Sequence, residues 1–350
     1  MNKKKSLLFV VSQLSTGGAE RVVATLASYF ASIGHPVFLI VFRKVENTYP
    51  IDNNVKIYHL KEKENKILKL LERIIYIRKF IKEHNIDDYI TFENFYGITC
   101  SFGNRVNYIT SMRNDPRNDR VSILERMARY LNFRYAKYVV FQTEEIKKYF
   151  GESIQKHGIV IQNPIKSDLP EYHGSRKKEV VAVCRLEPQK NIPMMLNAFL
   201  TFSGEHKLYQ LKIYGDGSLK SNIEKLICSM GLQDKVQLMG FQSNIAEQIK
   251  MAAIYVCSSD YEGLSNSMLE AMAIGIPVVT TDSSGGGARE VIENGVNGFL
   301  VPVNDYVSMA SCMGLIADHE DIAQKISMKA VEIRTRLSEE EVCRQWDMIL

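Results

Sequence analysis

A chain of 350 residues with 45% apolar and 24% charged side chains can bury two cores of ordinary size and is too short for three. No apolar run approaches the roughly 18 residues that span a bilayer. Met1–Lys5 leads only into the short run Ser6–Val11, too brief for a secretory h-region, so a cytoplasmic location is expected. Cys100, Cys184, Cys228, Cys257, Cys312 and Cys343 are scattered, without a Cys-x-x-Cys or paired His spacing, which points to buried reduced thiols and away from a disulfide framework or a zinc site. The net charge of +4 conceals an asymmetry: residues 1–165 hold 26 Lys and Arg against 16 Asp and Glu, leaving 18 against 24 for the rest. The first half is thus expected to face an anionic surface or substrate.

In chain order, Leu7–Val11 reads as a buried strand, and Gln13–Arg21 as a glycine-containing loop entering the helix Glu20–Ile33. Gly17 and Gly18 would let backbone amides meet an anion such as phosphate at the helix start, or they simply punctuate a strand-to-helix turn. The loop lacks G-x-G-x-x-G, and no acidic residue follows near Ile40–Arg43, so a nicotinamide cofactor is disfavoured. Strands are expected at Val37–Phe42 and Val55–Leu60. Between Lys61 and His84, Ile67, Leu71, Ile74 and Ile81 trace one helical face, while Lys66, Lys69, Arg73, Lys79 and Lys82 gather opposite. Such a basic amphipathic helix fits either anionic lipid head groups or plain solvent. After the strand Tyr89–Phe92, a strand from Tyr108 ends in Arg113-Asn114-Asp115-Pro116, where polar residues either meet a substrate or form a turn. Helix Val121–Phe133 and strands Tyr138–Gln142 and Ile159–Ile161 follow. The first domain is expected to end at residue 165, after Asn163-Pro164, and Ile165–Lys178 has linker composition.

The second half restarts with strand Val180–Cys184, the loop Arg185–Asn191 and helix Ile192–Phe202. Arg185 and Lys190 suit phosphate binding or ordinary surface charge. Strand Leu211–Tyr214, the turn Gly215-Asp216-Gly217, helix Leu219–Met230 and strand Val236–Met239, leading to Gly240-Phe241, complete another repeat. Then Ile254–Cys257 ends in a polar turn, a short helix follows, and Gly275-Ile276-Pro277 stops it before strand Val278–Thr281. Two carboxylates, Glu262 in the loop and Glu270 in the helix, stand near the carboxyl end of a buried strand, where open α/β sheets place ligands. Ser267-Met-Leu-Glu270 also has the spacing of a capping box. Repeated strand–loop–helix units in both halves predict an α/β fold of two doubly wound parallel sheets facing a central cleft.

With these motifs assembled, the chain resembles the retaining glycosyltransferase family 4, whose members have the GT-B fold of two Rossmann-like domains. Glu262 and Glu270 match its E-x7-E motif, Arg185 and Lys190 its R-L-x-x-x-K-N element, Gly215 and Gly217 its G-x-G turn, and Gly17–Arg21 its G-G-A-E-R loop; Asn163-Pro164 and Glu290 also fall where members carry them. The resemblance implies that Glu270 holds the ribose of a sugar nucleotide and that Arg185, Lys190 and the amides of Gly17 or Gly18 hold its diphosphate. Glu262 would lie beside the donor sugar, with Gly215, Gly217, Gly240, Phe241, Gly263, Leu264 and Ser265 around the sugar or base. The absence of an Asp-x-Asp pair points to a metal-independent enzyme without a cofactor. Many members carry a His where this chain has Met112–Asp115, so Asn114 or Asp115 becomes the candidate for contact with sugar or acceptor.

The resulting expectation is retaining transfer of a sugar from a UDP-linked donor to a growing polyprenyl-diphosphate-linked glycan, in bacterial polysaccharide or glycoprotein glycan synthesis. The enzyme would be peripheral at the inner face of the membrane, touching anionic lipid through Lys66, Lys69 and Arg73, and would have no nucleic-acid partner. The domains would be 1–165 for the acceptor, 166–335 for the sugar nucleotide, and 336–350 as a helix, Ser338–Ile349, crossing back to the first domain. A non-catalytic subunit of the same fold and a sugar-nucleotide epimerase are the rival readings.

Overall fold

The computed structural model describes residues 4–14, 17–45, 49–60, 65–93, 96–118 and 121–350. The chain divides into two compact units, Met1–Pro164 with Glu339–Leu350, and Ile165–Ser338.

In the first unit, β1 (Leu7–Val11), β2 (Val37–Val41), β3 (Lys56–His59), β4 (Asp88–Thr91), β5 (Asn107–Met112), β6 (Tyr138–Phe141) and β7 (Gly158–Val160) form one sheet in the order β3-β2-β1-β4-β5-β6-β7. Every pairing is parallel, with Leu7 opposite both Val37 and Asp88. Continuous apolar runs, such as Leu-Leu-Phe-Val-Val in β1 and Val-Phe-Leu-Ile-Val in β2, are buried throughout because helices cover both faces. The order reverses between β1 and β4, so the loops after these two strands part and leave room for a ligand at their carboxyl ends.

The second unit repeats the plan with β8 (Lys177–Val183), β9 (Gln210–Tyr214), β10 (Val236–Gly240), β11 (Ala252–Cys257), β12 (Val278–Thr281) and β13 (Phe299–Val301), ordered β10-β9-β8-β11-β12-β13 and again wholly parallel. Its switch point lies between β8 and β11. Both doubly wound parallel sheets expected from the strand–loop–helix repeats are therefore present.

Several boundaries differ from the expectation for physical reasons. Helix Ile123–Tyr135 starts two residues later than Val121, because Ser122 caps it: the Glu125 amide donates to Ser122 Oγ (3.3 Å) while the Ser122 amide donates to a Glu125 carboxylate oxygen (2.7 Å). The linker-like segment is tied down: Ile165 N donates to Leu337 O (2.8 Å), and Arg334 donates to the carbonyls of Leu169 (3.3 Å) and Pro170 (2.5 Å). β13 and the helices Tyr306–Asp318, Glu320–Val331 and Ile333–Arg336 were not foreseen.

The last helix, Glu339–Asp347, packs on Gly18–Ser32 within the first unit. Trp346 is fully buried there. The Arg113 guanidinium, at the end of β5, lies 4.7 Å from the Phe92 ring and 5.8 Å from the Trp346 ring. Burial against these rings pushes Arg113 down to about 9.

Candidate active site

The carboxyl ends of β8 and β11 carry the two loops that hold the predicted donor residues. Asn191 adopts the left-handed conformation (φ 41°, ψ 51°), which Asn tolerates better than most residues, and its side chain caps helix Ile192–Glu205 by accepting from Met194 N (3.2 Å). The same side chain donates to Asp260 Oδ1 (2.6 Å) and Asn304 Oδ1 (2.7 Å). Ser258 Oγ donates to Lys190 O (2.8 Å), Asp260 N to Gln189 O (2.9 Å), and Gln189 Nε2 to Tyr261 O (2.7 Å). Backbone and side-chain bonds thus fasten the two loops together.

That fastening brings Lys190 Nζ to 2.5 Å from Glu262 Oε2, which also accepts from Ser259 Oγ at 2.9 Å. Lys190 is only 8% exposed. Burial by itself would push the ammonium down, but the Glu262 carboxylate, aided by Cys257 and Cys184, outweighs it and the net shift is upward. Lys190 is therefore a fixed cation. Arg185, in contrast, is exposed at the start of the same loop.

Two glycines press this scaffold together. A Cβ on Gly215 (φ +130°) would stand 1.9 Å from Cys184 O, so only glycine lets the β9 loop lie against the end of β8, where Gly215 N donates to Gly240 O (2.8 Å). A Cβ on Gly287 would stand 1.6 Å from Gly263 O, directly behind Glu262, whose amide donates to Ser284 O (2.9 Å). Gly217 packs on Leu186, Leu264 and Ser265 are buried beside Gly263, and Phe241 is exposed.

Glu270 is buried in helix Asn266–Ala273. The capping box suggested by Ser267 and Glu270 is not formed: the N-cap is Ser265, without a side-chain capping bond, and Ser267 Oγ instead donates to Val183 O (2.9 Å) while accepting from Tyr255 OH (2.9 Å). Glu290 contributes its carbonyl to Arg336 (2.8 Å).

In the first unit, Gly17 is the N-cap of helix Gly18–Ser32; the preceding Ser15 and Thr16 lie outside the described residues. Arg21 is buried and donates to Pro164 O (2.9 Å), and Asn163 Oδ1 accepts from Arg113 (2.8 Å) and Gln142 (2.9 Å). These motif residues brace the unit. Asn114 is exposed, but Asp115 is 1% exposed and holds Arg117 Nε (2.9 Å) and Asn118 Nδ2 (3.0 Å) on its two oxygens. A buried carboxylate held in this way braces the turn that follows β5.

Sequence reasoning missed a pocket of about 280 Å³ lined by Ser12, Arg43, Lys69, Leu70, Arg73 and Tyr96. Arg73 stacks 4.0 Å from the Phe42 ring and donates to Tyr96 OH (2.9 Å). The sequence offers Lys69 and Arg73 to anionic lipid or to solvent, and nothing in their spacing announces Arg43, which arrives from the loop after β2. The side chain of Lys66 lies outside the described residues. Ser259, Asn304 and the Ser283–Gly287 loop were likewise missed; the Ser-Ser-Gly-Gly-Gly run after β12 was the available signal.

Comparison with known proteins fits this geometry. Residues 167–331 match the family model described as Glycosyl transferases group 1. An exopolysaccharide phosphotransferase of Streptomyces coelicolor is 32% identical over 60% of this chain, which spans only 22% of that protein. The Campylobacter jejuni GalNAc-alpha-(1->4)-GalNAc-alpha-(1->3)-diNAcBac-PP-undecaprenol alpha-1,4-N-acetyl-D-galactosaminyltransferase is 25% identical, covering 91% of this chain and 90% of its own length. Among solved structures, Anabaena HepE in complex with UDP superposes with a TM-score of 0.82 over 98% of each chain at 18% identity, a likeness of fold. The glycosyl transferases group 1 model thus matches the unit that holds Lys190, Glu262 and Glu270, and the two parallel sheets give the whole chain the GT-B fold.

Proposed function

We propose that this chain is a glycosyltransferase of the retaining family 4 that moves a sugar from a UDP-linked donor to a growing polyprenyl-diphosphate-linked glycan in bacterial surface polysaccharide or glycoprotein glycan synthesis. It works at the inner face of the cell membrane. The observation that carries the reading is the Lys190–Glu262 pair: a buried, permanently charged ammonium at a strand end, beside the first carboxylate of the E-x7-E motif. The undecaprenol-linked substrate named for the Campylobacter relative supports the acceptor class, and the UDP in the HepE complex supports uridine.

In the reaction, an acceptor hydroxyl forms a bond to the anomeric carbon as the bond to the donor diphosphate breaks. The hydroxyl proton passes to a leaving phosphate oxygen, and UDP departs. Lys190 and Arg185 neutralise the charge that develops on the diphosphate, in the role a divalent ion would otherwise fill, so chelators are expected to leave transfer unaffected. Glu262 already accepts from Lys190 and Ser259, which blunts it as a nucleophile and favours a role stabilising positive charge on the sugar ring. Glu270 holds the ribose hydroxyls. In the first unit, Arg43, Lys69 and Arg73 receive the acceptor diphosphate, three cations being suited to its charge.

The test is transfer from a panel of nucleotide sugars to a polyprenyl-diphosphate-linked glycan in the presence of EDTA, with the anomeric configuration of the product read by NMR. Transfer from a UDP-sugar with retention is expected. Donor binding without transfer would mean a non-catalytic subunit, and conversion of the donor without acceptor an epimerase. Two variants divide the roles. Glu270→Gln should weaken UDP binding by roughly tenfold with little loss of stability, since an amide is a poorer partner for two hydroxyls than a carboxylate; unchanged affinity would leave Glu270 a structural residue. Arg43→Glu with Lys69→Glu should raise the acceptor KM by about tenfold or more while leaving the donor KM alone.

A further inference from the structure

Glu93 follows β4 by two residues, at the point where the strand order of the first sheet reverses. One of its oxygens, Oε1, accepts from the Ser12 amide at the end of β1 (3.0 Å), and its own amide donates to Thr91 Oγ1 (3.2 Å). The residue is thus fixed at both its backbone and its carboxylate. Oε2 has no protein partner among the described residues, and the carboxylate forms no ion pair with them. Glu93 is half-buried. An ionised carboxylate is an acceptor only, and one that is anchored by a single oxygen at a sheet switch point is placed to receive a ligand's hydroxyl or amide.

The surroundings of Glu93 narrow the ligand to one class. Val10 lies opposite both Ile40 and Thr91 in the sheet, and two residues further on the alternation puts Ser12, Phe42 and Glu93 on the same face. That face bears the pocket of Arg43, Lys69 and Arg73, with Arg73 stacked over the Phe42 ring. Ser12 both lines this pocket and holds Glu93. Burial raises the pKa of the Tyr96 hydroxyl, another part of the lining, and the Glu93 charge adds to the rise. Three cations suit a diphosphate, whereas a fixed carboxylate at their edge repels one. The carboxylate is matched instead by the hydroxyls of a sugar carried on that diphosphate, which leave the phosphates over the cations and the ring over Glu93.

We propose that Glu93 accepts from a hydroxyl or amide of the sugar attached to the acceptor diphosphate, so that the first unit selects a glycosyl diphosphate over a diphosphate without a sugar. This contact presupposes the diphosphate in the pocket of Arg43, Lys69 and Arg73. The test is calorimetric titration of the full chain with two water-soluble probes of equal charge: a short-chain prenyl diphosphate capped by a methyl ester, and the same diphosphate carrying N-acetylhexosamine. The wild type should bind the sugar-bearing probe about tenfold more tightly. Glu93→Gln can still accept from the Ser12 amide and should melt like the wild type. It should bind the sugar-bearing probe roughly tenfold more weakly, yet bind the methyl-capped probe about two- to threefold more tightly, since a negative charge has left the edge of the pocket. Glu93→Asp keeps the charge but withdraws the oxygen, and should lose the sugar preference without tightening the methyl-capped probe. A residue that only braced the end of β1 would shift both probes alike. Equal shifts of the two probes in Glu93→Gln, or none, would overturn the role of Glu93 while leaving the diphosphate in its pocket. Failure of the wild type to bind either probe would remove the diphosphate from the pocket and the role of Glu93 with it.

Discussion

Lys190→Ala is expected to lower transfer by roughly a thousandfold, because on the proposed reading it removes a buried, pre-positioned cation from the place where the leaving diphosphate gathers charge. The same change strands Glu262 in a mostly buried site and should destabilise the second unit by about 3 kcal/mol, as breaking one half of a buried ion pair does. These two losses can be separated. Lys190→Met with Glu262→Gln removes both charges while keeping volume, and should recover most of the stability but none of the activity. If activity returned with stability, Lys190 would be a structural residue and the phosphate role assigned to it would be wrong. Lys190→Arg should also fail to restore transfer, because a planar fork cannot repeat the single short contact to Glu262 Oε2.

Gly287→Ala should be nearly as damaging although Gly287 carries no chemistry. Its added carbon would meet Gly263 O at 1.6 Å, and that atom is backbone and cannot swing aside. The Glu262-Gly263-Leu264 turn would have to move, and Glu262 with it, for a cost of about 3 kcal/mol or more and a large fall in turnover. Serine at the same position, no less bulky at Cβ, should do the same. A variant that melted and turned over like the wild type would show that the turn has freedom the tight contact denies it, and thermal unfolding alongside steady-state rates would reveal this.

Much of the second unit was legible in the sequence. Strands buried on both faces announce themselves as apolar runs, and glycines punctuate their ends, so β8 to β12 and their loops followed from residue types alone. The Lys190–Glu262 contact was not legible. It joins residues 72 positions apart through the hydrogen bonds of Asn191, Ser258 and Gln189, and none of these has a periodic signature. Ser267–Glu270 misled in the other direction, because a spacing that suits a capping box says nothing of Val183 and Tyr255, which claim the serine from neighbouring strands. The part Asp115 plays in its turn was likewise not legible, since the Asn-Asp-Pro spacing names a turn without saying that Arg117 and Asn118 donate to the carboxylate. In the first unit, the basic helix Lys66–Glu83 was read as a single stripe. Tertiary packing divides it: Lys69 and Arg73 join Arg43 in a pocket, while the more apolar outward surface belongs to Ile123–Tyr135, whose helical period gives no hint of which face the sheet will cover.

The central claim, that the unit bearing Lys190, Glu262 and Glu270 holds a uridine diphosphate donor, is tested most directly by calorimetric titration of the protein with UDP in EDTA. The account predicts one site per chain, lost or weakened at least tenfold in Lys190→Ala and weakened in Glu270→Gln. Absence of UDP binding by the folded wild-type protein, or binding indifferent to both substitutions, would contradict it.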